Sequence, residues 1–344
     1  MTHLDDPRQA PPLRWGFLGT GRIAATVADD VSGATVQEIR AVGSHSLDRA
    51  AAFAAAHHIE RPYGSYEELV AAPDIDAIYV ATNNASHFHD AKLALEAGKP
   101  VLVEKTVTET QAQAAELTAL AAARGLFFME AMWTRFLPHM VEVRRRVRAG
   151  EIGDVVAMMV DFGDYNQHDP SDRFYGLAQG GGALLDRGIY AVSHIVDVLG
   201  VPDRVVADAT MADTGVDATV SAILGYASGV QAVAQASIQA VTPQESWIAG
   251  AKGLIRLPKF WSPCPVRMAL ASGDAGSGGT TLGQADEWFT PTVGAGYEYE
   301  FAEAATRIAA GETASPLMPP DQTVAVLGVL DQIRAQIGLR FPEE

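Results

Sequence analysis

Three polar side chains in this sequence have the chemistry to move a proton to or from an alcohol: Lys105, Asp186 and Tyr190. Lys105 follows the apolar run Val101–Val103, and Asp186 and Tyr190 lie four residues apart behind three consecutive glycines. An α-helix would place the carboxylate and the phenol on one face, which suits general acid–base catalysis beside an ammonium group. Two structural alternatives stay open: a surface ion pair of Lys105 with Glu104, and a buried tyrosine bonded to an aspartate.

A glycine turn follows the first apolar run and opens a predicted helix. The segment Gly19-Thr20-Gly21-Arg22-Ile23-Ala24 matches the G-x-G-x-x-G/A dinucleotide fingerprint in the context that the fingerprint requires. Gly19 permits the tight turn, Gly21 leaves room for a pyrophosphate, and Ala24 lets the helix pack closely on the strand. The free helix amides would then bind the phosphates, with Thr20, Arg22 and Ile23 beside them. A plain tight turn is the alternative.

The tip of the second strand bears on the choice of cofactor. NAD-preferring domains usually have an acidic residue there that binds the ribose 2′-hydroxyl, and this sequence has none at the tip. Ser44, His45 and Arg49 suit a 2′-phosphate instead, so the sequence favours NADP over NAD. Asp48, in the same turn, is the acidic alternative, and a solvated helix position is the alternative for Arg49.

The elements around these residues predict a tail and two domains. Residues 1–13 are polar and proline-containing, and we expect a flexible tail. From 14 to 150, apolar runs alternate with Ala-rich helical stretches, which is typical of a parallel βαβ sheet and predicts a dinucleotide-binding Rossmann domain. The predicted strands are Trp15–Leu18, Glu38–Val42, Ala77–Ala81, Val101–Val103 and Leu126–Met129. A capping box at Ser65–Glu68 and the glycines Gly98 and Gly125 mark helix ends.

Residues 151–344 have a different pattern, with long runs that alternate between apolar and polar positions. This pattern predicts a mostly antiparallel sheet domain, and residues 271–283, rich in Gly and Ser, predict a mobile loop. An alternative for the C-terminal helices is packing on the first domain. The predicted strands include Val155–Phe162, Thr219–Tyr226 and Val230–Ile238, and the predicted helices are about Gly182–Leu199, Tyr297–Ala310 and Asp321–Ile337.

Composition limits the classes of function. The chain has 344 residues and a formal net charge of -17, which opposes diffuse binding to nucleic acid or to anionic membranes. No window of sequence approaches the ~20 apolar residues that span a bilayer. Cys264 is the single cysteine, and the first 30 residues lack the features of a signal peptide, so we expect a soluble, cytoplasmic protein. The histidines His57, His58, His168 and His194 lack ligand spacing, so no metal site is predicted.

These motifs resemble the glucose–fructose oxidoreductase / inositol dehydrogenase / MocA family over nearly the whole chain. The resemblance rests on Gly19–Ala24, Glu104-Lys105 and Gly181–Tyr190, and the branch of dimeric dihydrodiol dehydrogenases adds Phe128–Phe136 and Gly215-Val216-Asp217. It implies a Rossmann domain, an open-faced sheet used for dimerisation, a catalytic lysine, and an acid/base residue on the helix. Thr106 replaces the family's proline, and Tyr190 replaces the commoner histidine, as in the dihydrodiol dehydrogenase branch.

The resemblance also implies roles for residues that the motifs alone leave open. Trp133, Phe162 and Trp261 resemble aromatic positions of a substrate pocket, although each could equally be ordinary core. Arg135 is a candidate for binding a substrate oxygen or for tying helix to strand. Thr82, Asn83, His87 and Glu104 are expected near the cofactor, with capping of a helix as the alternative for His87.

We therefore expect an NADP-dependent oxidoreductase that interconverts a secondary alcohol and a ketone on a cyclic diol or sugar-like substrate. Tyr190 would take the hydroxyl proton, Lys105 would orient the hydroxyl and lower the phenol's pKa, and Asp186 would fix the geometry. Reduction of a keto-sugar such as an anhydrofructose is the rival reaction. A cofactor-binding regulatory protein without turnover is the rival of another class. A homodimer or larger homo-oligomer is expected.

Overall fold

The computed structural model describes residues 6–272 and 281–342. The chain forms two compact units: Met1–Phe136 with Val293–Leu327, and Leu137–Thr292 with Gly328–Glu344. The first unit thus ends before the predicted boundary at residue 150 and takes in a segment from near the C-terminus. The second unit begins with the helix after Phe136.

The first unit is built on a six-stranded parallel sheet with the strand order β3-β2-β1-β4-β5-β6. This is the order of a doubly wound dinucleotide-binding fold, so the predicted Rossmann domain is confirmed. Its strands are β1 (Arg14–Leu18), β2 (Glu38–Gly43), β3 (Arg61–Tyr63), β4 (Ala77–Val80), β5 (Val101–Glu104) and β6 (Phe128–Ala131).

Two strands of this sheet differ from the prediction. The sequence pattern missed β3, because it has three residues, contains Pro62 and lies half-buried at the edge of the sheet, where proline is tolerated. The last strand begins at Phe128 rather than Leu126, because Gly125 ends the preceding helix with a φ of 65° and the Leu126 amide still bonds to the Ala121 carbonyl.

The α-helices that lie wholly in the described part of the first unit are α1 (Arg22–Ala34), α2 (Leu47–Ala56), α3 (Tyr66–Val70), α4 (Asn84–Glu96), α5 (Gln111–Arg124) and α8 (Glu298–Ala309). The α8 helix comes from the returning segment, and its Phe301 packs edge-on against Trp15 of β1, with ring centroids 4.8 Å apart. Of the segment predicted as a tail, residues 1–5 lie outside the described residues. Its remainder forms a 3-10 turn at Pro7–Gln9, and Ala10 packs against α8.

The second unit is built on a mostly antiparallel sheet, as predicted, in the order β14-β13-β12-β11-β7-β10-β9-β8. The central pair β7 and β10 is parallel, and β15 pairs with β13. The strands are β7 (Val155–Gly163), β8 (Arg204–Met211), β9 (Asp217–Gly225), β10 (Gln231–Ser237), β11 (Glu245–Gly250), β12 (Gly253–Pro258), β13 (Val266–Ser272), β14 (Thr281–Leu282) and β15 (Asp286–Trp288).

The helices of the second unit are α6 (Pro138–Arg148) and α7 (Ile189–Leu199), and α9 (Pro320–Ile337) begins in the first unit and ends in the second. A π-helical turn over Leu184–Gly188 precedes α7. Most of the loop predicted at 271–283 lies outside the described residues, and its described ends belong to β13 and β14. In the described part of the chain, no helix combines the length and apolar character needed to cross a membrane.

Candidate active site

The glycine turn after β1 has the geometry that the fingerprint predicts. Gly19 has a φ of 109°, and a Cβ atom there would lie 2.5 Å from the Ala81 carbonyl oxygen, so no other residue fits. Around Gly21, by contrast, a Cβ atom would meet nothing within 4 Å. Ala24 is fully buried where α1 packs on the sheet.

The N-terminus of α1 differs from those of the next four helices. Side chains cap these helices: Ser46, Ser65, Asn83 and Thr110 each accept a hydrogen bond from a first-turn amide. Gly21 provides no such cap to α1, although Thr20, Arg22 and Ile23 surround the turn. Uncapped amides beside an open glycine fit the pyrophosphate of a dinucleotide.

The residues predicted to choose between NADP and NAD differ in exposure. His45 and Arg49 are exposed, whereas Ser44 is buried. The Arg49 guanidinium lies 3.4 Å from the Thr20 hydroxyl, which places this cation beside the glycine turn. The His45 ring packs against Tyr66, with the centroids 4.5 Å apart.

Lys105 directly follows β5, at the carboxyl edge of the sheet. Its neighbour Glu104 is buried, and its carboxylate accepts hydrogen bonds from the Tyr79 hydroxyl at 2.6 Å and from the Lys105 amide at 3.1 Å. Glu104 therefore does not lie on the surface, where an ion pair with Lys105 was considered from the sequence. The Lys105–Thr106 peptide bond is cis.

The His87 ring lies between two loops of this edge. Its Nδ1 lies 2.7 Å from the Thr106 carbonyl oxygen and its Nε2 lies 3.2 Å from that of Thr82. Burial lowers the pKa of His87 to about 4, so the ring is neutral. Thr82 bonds to Asp90 and Asn83 caps α4, so the three predicted cofactor neighbours also order the loop that carries them.

Buried carboxyl groups near Lys105 escaped the sequence analysis. Glu130 on β6 accepts a hydrogen bond from the Val107 amide, and burial raises its pKa to about 7. Glu300 on α8 is fully buried without a hydrogen-bond partner, and burial together with Glu104 raises its pKa well above the usual range. The glutamate inside the apolar run Phe128–Ala131 was the available signal.

Trp133 and Arg135 lie in a 3-10 turn after β6. The Trp133 ring stacks on Tyr297, with centroids 4.3 Å apart, and both rings belong to the first unit. Arg135 is buried and donates a hydrogen bond to the Gln322 side chain. This contact favours the structural alternative for Arg135.

In the second unit, Asp186 lies in the π-helical turn and Tyr190 in the first turn of α7. The helix predicted from about Gly182 to Leu199 is present as a continuous helical run from 183 to 199, but its first part is π-helical, so the α-helical four-residue spacing does not describe this pair. Asp186 is buried between two guanidinium groups, Arg173 at 3.1 Å and Arg187 at 2.5 Å. The sequence analysis missed both arginines, although Arg187 lies inside the motif itself.

Tyr190 lies at the edge of an aromatic cluster in the same unit. The Phe162 ring lies 5.4 Å from the Tyr190 ring and is stacked on Trp261 at 5.0 Å with an interplanar angle of 9°. The Arg187 guanidinium lies 5.0 Å from the Phe162 centroid. The structure thus brings Tyr190, Phe162 and Trp261 together, with a cation beside them.

His194, which follows Tyr190 on α7, is buried away from solvent. Its Nε2 lies 3.1 Å from the Ser246 hydroxyl, and its ring stacks on Phe260. These contacts anchor α7 to the sheet.

Family models match both parts of the chain. Residues 13–132 match the oxidoreductase family with an NAD-binding Rossmann fold, and residues 140–256 match the GFO/IDH/MocA C-terminal domain. Among curated proteins, the trans-1,2-dihydrobenzene-1,2-diol dehydrogenases of Mus musculus and Xenopus laevis are 32% and 35% identical to this chain. Each match covers 96% of this chain and 99% of the relative.

Solved structures show the same fold. A 3-ketoreductase from Actinomadura kijaniata, in complex with NADP and TDP-benzene, has a TM-score of 0.83 at 25% identity, over 95% of this chain and 98% of its own. A levoglucosan dehydrogenase in complex with NADH and levoglucosan has a TM-score of 0.83 at 19% identity, over the same shares. The present chain is an NAD(P)-dependent dehydrogenase, and it belongs to the GFO/IDH/MocA family of oxidoreductases.

Proposed function

We propose that this protein interconverts a secondary alcohol and a ketone on a cyclic diol or sugar-like ring, with NADP as its preferred cofactor. The observation that carries the proposal is the cluster in which the Tyr190 phenol lies beside the stacked rings of Phe162 and Trp261. A proton-transferring group beside an aromatic surface suits a ring that carries hydroxyl groups. The names of the dihydrodiol dehydrogenase relatives support a cyclic diol.

Tyr190, Lys105 and Asp186 have different roles in the proton transfer. When bound, the nicotinamide supplies the hydride acceptor for oxidation and the hydride donor for reduction. Tyr190, as a phenolate, accepts the substrate's hydroxyl proton at Oη and returns it in the reverse direction. The Lys105 ammonium group binds the substrate oxygen and stabilises the negative charge that develops there. Asp186, bound to Arg173 and Arg187, holds the turn that precedes Tyr190.

NADP is the proposed cofactor because the turn after β2 offers the Arg49 guanidinium and the His45 ring, and no acid at the strand tip. Arg49 and His45 are exposed there, and Arg49 reaches the glycine turn. A 2′-phosphate has the charge that these side chains favour.

Reduction of a keto-sugar is the second candidate, on the same residues in the reverse direction. The structural likeness to a 3-ketoreductase favours it, and that enzyme has also been solved with a lysine and, separately, a tyrosine substituted. We further propose a homodimer through the sheet of the second unit and a cytoplasmic location, the latter because the sequence has a single cysteine.

A panel of ring substrates tests the proposed function. Trans-dihydrodiols, polyols and keto-sugars would be offered with NADP or NAD, in the oxidised or reduced form that each substrate requires, and turnover would be followed by nicotinamide absorbance. We expect turnover of at least one ring substrate, faster with the NADP pair than with the NAD pair. Turnover confined to acyclic alcohols would contradict the proposal.

A further inference from the structure

Trp261 is the outer ring of the stacked pair. Phe162, beneath it, is 4% exposed, whereas Trp261 is partly exposed. Phe162 also contacts Tyr190 and, edge-on, Phe260. Of the two stacked rings, Trp261 therefore offers the larger accessible surface to a ligand.

One side chain, Gln244, joins this indole to the strand that carries Phe162. Its Oε1 accepts a hydrogen bond from the Trp261 Nε1 at 3.1 Å, and its Nε2 donates to the Gly163 carbonyl at 2.9 Å. An indole N–H can only donate and a carbonyl can only accept, so the two partners require both ends of an amide. A carboxylate or an apolar side chain at this position could not make both bonds.

The backbone around Trp261 is held in an unfavourable conformation. Gln244 has a φ of 59° and Lys259, two residues before Trp261, has a φ of 53°. In the described ranges, one other non-glycine residue, His58, has a positive φ. It follows the end of α2, where this conformation is common. Such residues cost about 1 kcal/mol each and cluster at ligand clamps.

Hydrogen bonds of Thr242 hold the turn that carries Gln244 against the end of β7. The Thr242 hydroxyl accepts a hydrogen bond from the Gly163 amide at 2.7 Å and donates to Asp161 at 2.9 Å. A Cβ atom on Gly163 would lie 2.3 Å from the Thr242 methyl group, so the two segments are in close contact. The contacts between this turn and the end of β7 therefore fix the positions of both stacked rings, Phe162 and Trp261.

We propose that Gln244 is a specificity-determining positioning residue that holds Trp261 as a rigid surface for the apolar face of a substrate ring. The indole could otherwise rotate about its side-chain torsions, and immobilising a side chain only on binding costs affinity. A fixed indole favours ligands with a flat or weakly puckered ring over acyclic polyols. The inference rests on the proposed function only for the identity of the reaction, because ring binding can be measured without turnover.

The variant Gln244→Asn separates positioning from stability. Asparagine tolerates a positive φ better than glutamine, but its side chain is too short to reach both partners. We expect the thermal unfolding temperature to stay the same or rise, while the affinity for catechol, measured by calorimetry on the enzyme saturated with NADP, falls roughly tenfold. With a ring diol that is turned over, KM should rise by a similar factor and kcat should change little.

The matched control is Gln336→Asn. Gln336 makes the same kind of bridge in the second unit, accepting from the Ala207 amide at 3.0 Å and donating to the Val205 carbonyl at 3.1 Å, far along the chain from either ring. This control should leave catechol affinity unchanged. Equal losses of affinity in the two variants would overturn the inference.

A double-mutant cycle with Trp261→Phe completes the test. Trp261→Phe alone should weaken catechol binding, and Gln244→Asn should have no further effect in that background, because the phenyl ring has no N–H to hold. Unchanged binding in either single variant, or additive losses in the double variant, would overturn the role of Gln244. If the wild type bound catechol with this dependence and turned over no ring alcohol, the proposed function would fail and the positioning role would stand.

Discussion

The phenol of Tyr190 is the group on which the proposed proton transfer depends. A tyrosine ordinarily titrates near pH ~10, and a nearby cation favours the phenolate at lower pH. Tyr190→Phe should lower kcat roughly 100-fold or more, because general acid–base catalysis contributes about that factor. NADPH affinity, measured by nicotinamide fluorescence, should be nearly unchanged.

Tyr175→Phe is the matched control for this prediction. The Tyr175 hydroxyl is bound to the Asn166 carbonyl in the same unit, at 3.1 Å, so its loss removes a phenol without a proposed proton-transfer role. Lys105→Met should be at least as harmful as Tyr190→Phe, since the lysine also binds the substrate oxygen. A wild-type rate and pH profile in Tyr190→Phe would show that another residue transfers the proton.

Cofactor choice is also a property of single residues. Arg49 is an exposed cation 3.4 Å from Thr20, and Asp48 precedes it in the same helical turn. Arg49→Gln should weaken NADPH binding roughly tenfold and leave NADH binding unchanged, because a charge-assisted bond to phosphate contributes about that much.

Asp48→Asn tests the opposite assignment. If Asp48 bound the ribose hydroxyls, this change would weaken NADH binding and NADH would be the tighter ligand of the wild type. Fluorescence titrations of both nucleotides with the wild type and the two variants decide between the assignments.

At the scale of elements, the helical segment before Tyr190 depends on a contact between Gly182 and Asp217. Asp217 is fully buried, and its Oδ2 accepts a hydrogen bond from the Leu184 amide at 2.7 Å, which caps the π-helical turn from another strand. Gly182 has a φ of 112°, and a Cβ atom there would lie 2.2 Å from the Asp217 Oδ1. Gly182→Ala should therefore destabilise the protein by ~3 kcal/mol or more and lower kcat.

Gly215→Ala isolates the cost of the backbone conformation. Gly215 also has a positive φ, 89°, but a Cβ atom there would make an ordinary contact with Leu177 at 3.5 Å. Its alanine variant should lose only about 1 kcal/mol in the free energy of unfolding, measured by denaturant titration. Similar losses of unfolding free energy in the two variants would show that the contact with Asp217 does not contribute to the effect of Gly182→Ala.

The elements that the sequence predicted well are those whose signals are local. The glycine turn, the cap at Ser65 and the helix ends at Gly98 and Gly125 each depend on neighbours within a few residues. Contacts between distant segments left no such signal. Asp30 on α1 accepts hydrogen bonds from the amides of Ala295 and Tyr297, which hold the start of α8 to the first unit across more than 260 residues.

The same limit applies to the candidate site. The motif around Asp186 made Asp186 and Tyr190 candidates, but it gave no sign that Arg173 and Arg187 pair with Asp186. The π-helical turn was also beyond prediction, because nearly every residue from 183 to 196 is buried and no apolar period shows where an extra residue enters a turn. The hydrogen bonds of Gln244 join residues from three segments of the chain, so the sequence alone could not predict them.

At the scale of the whole molecule, the sheet of the second unit has one face covered by its own helices. Gly188 at the end of the π-helical turn lies against Ala236 of β10, so residues that alternate with Ala236 point to the other face. The strand registers align an apolar row on that face: Val206, Ile223, Val233, Met159 and Trp247. Val206 and Ile223 are 45% and 43% exposed.

This apolar row predicts a homodimer in which two copies of the sheet pack face to face. Exposed apolar rows of this kind mark association surfaces, and a twofold axis lets the same row meet itself. The net charge of -17 opposes association in general, but two carboxylates of the same sheet, Glu245 and Glu287, are paired with Arg256 and Arg267. Light scattering should therefore report twice the chain mass of 36.4 kDa at micromolar concentration.

Ile223→Lys should convert the dimer to a monomer, because two buried ammonium groups would face each other across the axis. Val36→Lys is the matched control, since Val36 is similarly exposed, at 47%, but belongs to the first unit. The control should remain dimeric, and the Trp247 fluorescence of the Ile223 variant should shift towards that of a solvated indole, because Trp247 lies in the same row. A wild-type monomer, or a dimer that survives Ile223→Lys, would show that the sheet face is not the interface.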